Sequence, residues 1–476
     1  MSDPFARALE SQRLAADPDA SVFVTANAGS GKTKVLIDRV ARLLLRGDPP
    51  SSFLCITYTK AAAAEMQRRL FERLGAWCTM GNDDLTRELR ALDGAGADVS
   101  DAALSRARAL FAHALETPGG LRIQTIHAFC ERLLRRFPLE AETAPGFEVI
   151  DEGQAEALMA SAWAEIVAAP DARRALAHLA RRLDEEALEN LMAGVNRRRR
   201  VLRAMRQGGE LPEALARLRS RHGAEADREA FLAAFFAGTP WRDLDAAIDV
   251  LRGGSKTDGD AAARIHAARA APGVFEAYTA IFMTQERKPR QSLMTAPLRR
   301  AHGALDASLA QEQARVVAAI GALKAIDRAD DAVALMILGD YLLGAYAKAK
   351  AATGALDFED LIERAEALLT RTGAAPWVLF KLDGGIDHIL IDEGQDTSPA
   401  QWALLEPLQR EFFAGAGARV KVRTVFAVGD PKQSIYSFQG ADSARFLAQA
   451  QTLSMRAAGA ELRFHAPDMT MSFRST

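Results

Sequence analysis

Eight residues, Ala26, Asn27, Ala28, Gly29, Ser30, Gly31, Lys32 and Thr33, lie between the apolar run SVFVT and the helix-period run KVLIDRVARLLL. A glycine-rich turn at the mouth of a helix aims successive backbone N–H groups at an anion, and the helix N-terminus adds positive potential. In such a cradle Lys32 reaches the outer phosphates of a nucleoside triphosphate, and the Thr33 hydroxyl supplies a ligand to Mg²⁺. The strict pattern begins with Gly where this chain has Ala26, so the strand–turn–helix context carries the assignment.

A second stretch, ILIDEGQDTSPAQW (Ile389–Trp402), ends an apolar run in two adjacent acids. Like charges side by side repel, so stability gives no reason for the pair. A phosphate cradle needs a metal ligand and a group to position the attacking water. Asp392 fits the first role, through a bound water, and Glu393 fits the second as general base. The alternative is that the acids cap the helix beginning near Pro399. More than three hundred residues separate Lys32 from Asp392.

The elements that position these residues are legible from periodicity. FLCITYTKAAAAEMQRRLFERLGAW and LRIQTIHAFCERLLRRF repeat the strand-to-helix pattern of the first unit. From about 140 to 350 the pattern is Ala/Leu/Arg/Glu helix, broken at GGELPEA, GGSKTDGD and APGVF, and strands return at HILIDE and RTVFAVGD. The expectation is an α/β chain: a parallel-sheet nucleotide-binding domain in two parts, 1–139 and 351–450, split by a mostly helical insertion, 140–350. Residues 451–476 then begin a second α/β domain. The final DMTMSFRST reads as a strand entering a turn with no closing helix, as in an interrupted protein.

Composition narrows the class. The 476 residues are 49% hydrophobic and 26% charged, with net charge −2, an ordinary globular balance. No uninterrupted run of 18 apolar residues predicts a membrane span, and the N-terminus has no signal-peptide core. Cys55, Cys78 and Cys130 have no CxxC spacing, the usage of a reduced cytoplasmic protein without a zinc or iron–sulfur site.

Seven stretches occur in a familiar order: ANAGSGKT, ITYTKAAAAEM, QTIHAFCERLL, LDFEDL, LIDEGQDTS, VGDPKQSIYSFQGAD and SFRS. Together they resemble superfamily 1A DNA helicases of the UvrD/Rep/RecB type. TANAGSGKT, TKAAAAEM and TIHAFCERLLRRFPLEA are most similar to AddA-type helicase–nuclease subunits of double-strand-break repair.

The resemblance implies a RecA-like fold, ATP and Mg²⁺ as cofactors, 3′–5′ movement on single-stranded DNA, separation of duplex DNA ahead, and an AddB-like partner. It makes Gln12 the adenine-reading glutamine, whose amide matches the donor and acceptor of the base edge. It places DNA contacts on Thr57, Tyr58 and Thr59, on Thr125 and His127, and on the stacking rings Tyr436 and Phe438. Gln433 becomes the γ-phosphate sensor and Arg474 the arginine that stabilises transition-state charge.

Phe358 and Asp360 match a motif without an assigned role, and Phe358 is equally a core residue. Relatives mostly carry Arg at Gln439, and Phe or Ala at Gly394. NRRRRVLRAMR and QERKPRQ are either duplex-contacting surfaces or solvated helix faces. Two other readings stay open: a UvrD/Rep-type helicase without a nuclease, and a nucleotide- and DNA-binding fragment without catalysis.

Overall fold

The structure is a computed structural model; it describes residues 4–93, 99–118, 120–224, 226–383, 385–413, 422–434 and 443–473. The chain divides into two compact units, one formed by Met1–Ala157 with Lys350–Thr476, the other by Leu158–Ala349.

The first unit is a sheet flanked by helices. Its strands are β1 (Ser21–Ala26), β2 (Phe53–Thr57), β3 (Arg122–Thr125), β6 (His388–Ile391), β7 (Thr424–Gly429), β8 (Phe464–His465) and β9 (Asp468–Met469). A separate pair is formed by β4 (Glu148–Val149) and β5 (Ala355–Leu356). The main order is β3-β2-β6-β7-β1-β8, with β9 also on β1, and every pairing is parallel. Strands β2, β6 and β7 are buried throughout, which is why they read as continuous apolar runs rather than alternations. Apolar side chains cover both faces: Val22, Val24, Leu390 and Phe426 lie in one core, and Phe23, Ile56, Ile389 and Val425 in the other.

Parallel strands put all their carboxyl ends on one edge, the edge where open α/β sheets bind ligands. Here that edge carries the turn after Ala26, the loops after Thr57 and Thr125, the acids after Ile391, and Asp430 after β7. The helices that follow have ordinary local causes. Lys32–Arg46 stops at Gly47, which takes the left-handed C-cap conformation at φ 98°. Pro399–Arg410 starts at Ser398, whose side chain forms a capping box with Gln401, with Pro at the first turn. That cap excludes the alternative in which Asp392 and Glu393 cap this helix.

The C-terminal residues differ from expectation. Residues 464–469, assigned by sequence to the opening of a second α/β domain, pair with β1 of the first sheet.

The second unit is helical. Its longest helix, Gly303–Thr353, contributes Leu309, Val316, Leu323 and Ile326 to one core and Leu338, Leu342 and Tyr346 to another. Between them Asp327, Asp330 and Asp331 meet Arg228, Arg219 and His178 at 3.0, 2.6 and 2.8 Å. An 18-residue stretch of this helix reaches a mean hydropathy of 1.3, so by length and composition it passes for a membrane span, which the sequence had not suggested; a third of that stretch is buried inside the protein.

Candidate nucleotide and DNA site

The phosphate loop is shaped by two glycines. Gly29 and Gly31 have φ of 75° and 92°, a region L side chains rarely enter. Gly31 has a second constraint, because a Cβ there would come 2.9 Å from Gln12 Nε2. Ser30 Oγ donates to Asn27 O at 2.7 Å and closes the turn. No side chain caps the helix that begins at Lys32, and the uncapped first turn of a helix is the part of it able to bind an anion. Thr33 follows at the half-buried mouth of this helix.

The acids arrive from the neighbouring strand end. Asp392 N–H donates to Ile56 O at 2.9 Å, which continues the β2–β6 pairing into the turn. Glu393 then adopts a left-handed conformation at φ 50°, uncommon for a residue with a side chain. Lys32 Nζ donates to Glu393 Oε2 at 3.2 Å. The lysine of the glycine-rich turn and the strand-end acid thus meet in space although the long insertion parts them in sequence. Burial, and then the charge of Glu393, push the Asp392 carboxyl up to about 6. The same two causes raise Asp396. Carboxylates that resist ionisation in a cluster are short of positive charge.

On the other side of the loop lies a cavity of about 440 Å³, lined by Arg7, Gln12, Ser30, Met469, Met471 and Phe473 among others. Gln12 is buried, and its Nε2 donates to Ser30 O at 3.0 Å. One donor of the amide is therefore already committed to the loop. The C-terminal residues close the wall. Asn27 N–H donates to Met469 O and Phe473 N–H to Gly29 O, both at 2.9 Å, and the Phe473 ring meets Phe5 edge-on at 6.1 Å. Phe473 enters the sequence reading only as a member of the SFRS stretch, and no sequence signal singles out Arg7.

The loops after β2 and β3 show what their hydroxyls do. Thr57 is buried and donates to Thr59 O at 3.1 Å. Thr59 caps the next helix, its Oγ1 accepting from Ala62 N–H, and Thr125 does the same for Ala128 N–H. Tyr58 is half-buried between the two threonines. The ring of His127 lies 5.0 Å from that of Phe358, which is 47% exposed.

Asp360 has a structural role. It forms a capping box with Asp357, and both carboxylates hold the buried Lys350. Gln433 sits on an exposed turn, its N–H bonded to Asp430 O at 2.9 Å. Tyr436, Phe438, Gln439 and Arg474 lie outside the described residues.

In the helical unit, Arg199 is buried and Arg206 lies 3.5 Å from Asp340. Residues 285–289 form an exposed turn, bridged by Met283 and Pro289.

The model of the UvrD/REP helicase N-terminal domain matches residues 9–454. The chain belongs to this helicase family. An ATP-dependent helicase/nuclease subunit of Desulforudis audaxviator is 28% identical over a 508-residue alignment, covering 96% of this chain and 37% of the relative. The protein of the same name from Pelotomaculum thermopropionicum is 29% identical, covering 95% and 36%. That from Lactobacillus gasseri is 35% identical over 153 residues, covering 32% and 11%. The chain thus spans just over a third of the length of the relatives it matches end to end.

Two departures from the helicase pattern have physical explanations. Ala26 is the last residue of β1, paired with Met469, and is not among the residues of positive φ, so glycine is not required there. Gly394 has its space filled. A Cβ at Gly394 would lie 2.5 Å from Phe446 Cε2, and Phe446 is fully buried with its ring 4.5 Å from that of Phe23. Gly394→Ala is expected to destabilise by about 1–3 kcal/mol through overpacking. Thermal melting would show it, and Phe446→Leu in the same chain should recover part of the loss. An unchanged melting temperature in Gly394→Ala would mean that the ring moves freely.

Proposed function

We propose that this chain is the nucleotide-binding and DNA-gripping part of an ATP-driven DNA helicase that moves 3′ to 5′ along one strand. The observation that carries the reading is the 3.2 Å contact of Lys32 with Glu393, on the same sheet edge as the loops after β2 and β3. One edge then serves both hydrolysis and grip.

In this reading the triphosphate lies in the loop from Ala26 to Thr33, Lys32 meets the outer phosphates, and the base enters the cavity between Gln12 and Phe473. Thr33 and Asp392 would hold Mg²⁺. The raised Asp392 and Asp396 support a cation there. Mg²⁺ is bound by one or two carboxylates together with substrate phosphates and water, a role that Asp392 could fill. A Mg²⁺ held there would supply charge neutralisation on the phosphates. Glu393 takes the proton of the attacking water, and Gln433 and Arg474 contact the γ-phosphate.

DNA grip is assigned to Tyr58, His127 and Phe358, with Thr57, Thr59 and Thr125 shaping their loops, and to Tyr436 and Phe438. Stacking suits a motor that must hold any sequence, at roughly 1–3 kcal/mol per base. Burial holds the His127 ring down to about 4, so it is neutral at physiological pH. The affinity ratio of wild type to His127→Asn for single-stranded DNA should therefore stay constant between about pH 5 and 8. A ratio that grows in acid would show instead that the ring charges against phosphate.

The helicase/nuclease name of the relatives supports placement in an AddAB-type enzyme of double-strand-break repair, with an AddB-like partner. The full-length protein should hydrolyse ATP faster with single-stranded DNA, and displace a strand from a 3′-tailed but not a 5′-tailed duplex. Nucleotide and DNA binding without hydrolysis would favour the non-catalytic alternative.

A further inference from the structure

The Gln-Asp pair that follows the two acids is built into their turn. Gln395 is 1% exposed. Its Nε2 donates to Glu393 Oε2 at 2.8 Å and to Asp396 Oδ2 at 2.9 Å. Its Oε1 accepts from Asp430 N–H, at the end of β7, at 2.8 Å. These partners fix the orientation of the amide, because carboxylates only accept and a backbone N–H only donates. Its own carbonyl accepts from Ser434 Oγ at 3.4 Å. One residue thus joins the acid turn to the Asp430–Ser434 loop that carries Gln433.

We propose that Gln395 is a positioning residue for hydrolysis, holding the Glu393 carboxylate against Lys32 and tying it to the loop that carries Gln433. The proposal rests on the hydrolytic reading above. Three features of the site lead to it.

First, Glu393 starts from a strained left-handed backbone and a side chain that is 35% exposed, so without a tether its carboxylate is free to change rotamer. Second, Oε2 of Glu393 accepts from both Lys32 and Gln395. That leaves Oε1 to accept the water's proton as the water oxygen bonds to the γ-phosphorus and the bridging oxygen departs with ADP. Third, the residue type is demanding. Glu at 395 would add a carboxylate to Asp392, Glu393 and Asp396 and lose both donors. Lys would leave Asp430 N–H without its acceptor, and Asn is a methylene too short.

The test uses the full-length protein with saturating single-stranded DNA, and two variants, isosteric Gln395→Glu and apolar Gln395→Met; melting temperature selects the folded one for reading. The expected result is a fall in kcat of roughly 10²-fold, with KM for ATP within about threefold of wild type. Because Gln395 acts through Glu393, adding Gln395→Met to Glu393→Gln should lower kcat little further. A folded variant with wild-type kcat overturns the positioning role. So does a second fall of equal size in the Glu393→Gln background. Wild-type protein that fails to hydrolyse ATP with DNA would instead overturn the functional reading itself.

Discussion

Replacing Glu393 by Gln is expected to lower ATP turnover by roughly 10²–10⁴-fold, the usual contribution of a general base. The amide keeps the size of the side chain, and its oxygen still accepts from Lys32 Nζ, now 3.2 Å from Glu393 Oε2. What it cannot do is take a proton at neutral pH. Nucleotide binding, which the proposed function places on the loop amides and Lys32, should survive. Binding measured with a fluorescent nucleotide, beside single-turnover hydrolysis, separates the two steps. A variant that binds ATP poorly but hydrolyses what it binds at the wild-type rate would remove Glu393 from the role of base and leave it a partner of Lys32.

Lys32→Ala is expected to lower turnover by roughly 10²–10³-fold, the usual loss when one donor to developing charge is removed. Unlike Glu393→Gln it should also weaken nucleotide binding, because in the proposed function Lys32 meets the phosphates already in the ground state. A secondary effect follows from the acid cluster. Lys32 is one of the charges that hold Asp392 down, against burial and Glu393. Its loss should make Asp392 still harder to ionise, so Mg²⁺ dependence should shift to higher metal concentration. DNA affinity should remain, because the loops after Thr57 and Thr125 end other strands of the sheet. Hydrolysis at the wild-type rate by Lys32→Ala would remove the phosphate-site assignment.

Much of the candidate nucleotide site can be proposed from the sequence because its causes are local. A glycine-rich turn between strand and helix, and acids ending an apolar run, are patterns of adjacent residues. Capping is equally local: Thr59 and Thr125 each precede a helix, and Asp357 and Asp360 stand at capping-box spacing. Those signals are enough to give the hydroxyls and Asp360 structural roles, which the helicase resemblance leaves out.

The remaining features depend on distant residues. Two-residue strands such as β8 and β9 carry no periodicity, and their partner β1 begins more than four hundred residues earlier. Lys350 between Asp357 and Asp360, and Phe446 in the space over Gly394, are outcomes of packing that a linear pattern does not encode. Gln395 stands in the motif with the two acids, yet its work emerges only once Asp430 is brought beside it.

The place of β1 also orders the protein's birth. It is made some four hundred residues before the strands beside it, β7, β8 and β9; Ser21 Oγ waits for Val425 N–H, 404 residues later. At a synthesis rate of about 5–20 residues per second the delay is roughly 20–80 s. Throughout it Val22, Phe23 and Val24 form an unpaired apolar edge on the ribosome. The strand that leads into the glycine-rich turn is thus a claimant for chaperones until β7 emerges beside it.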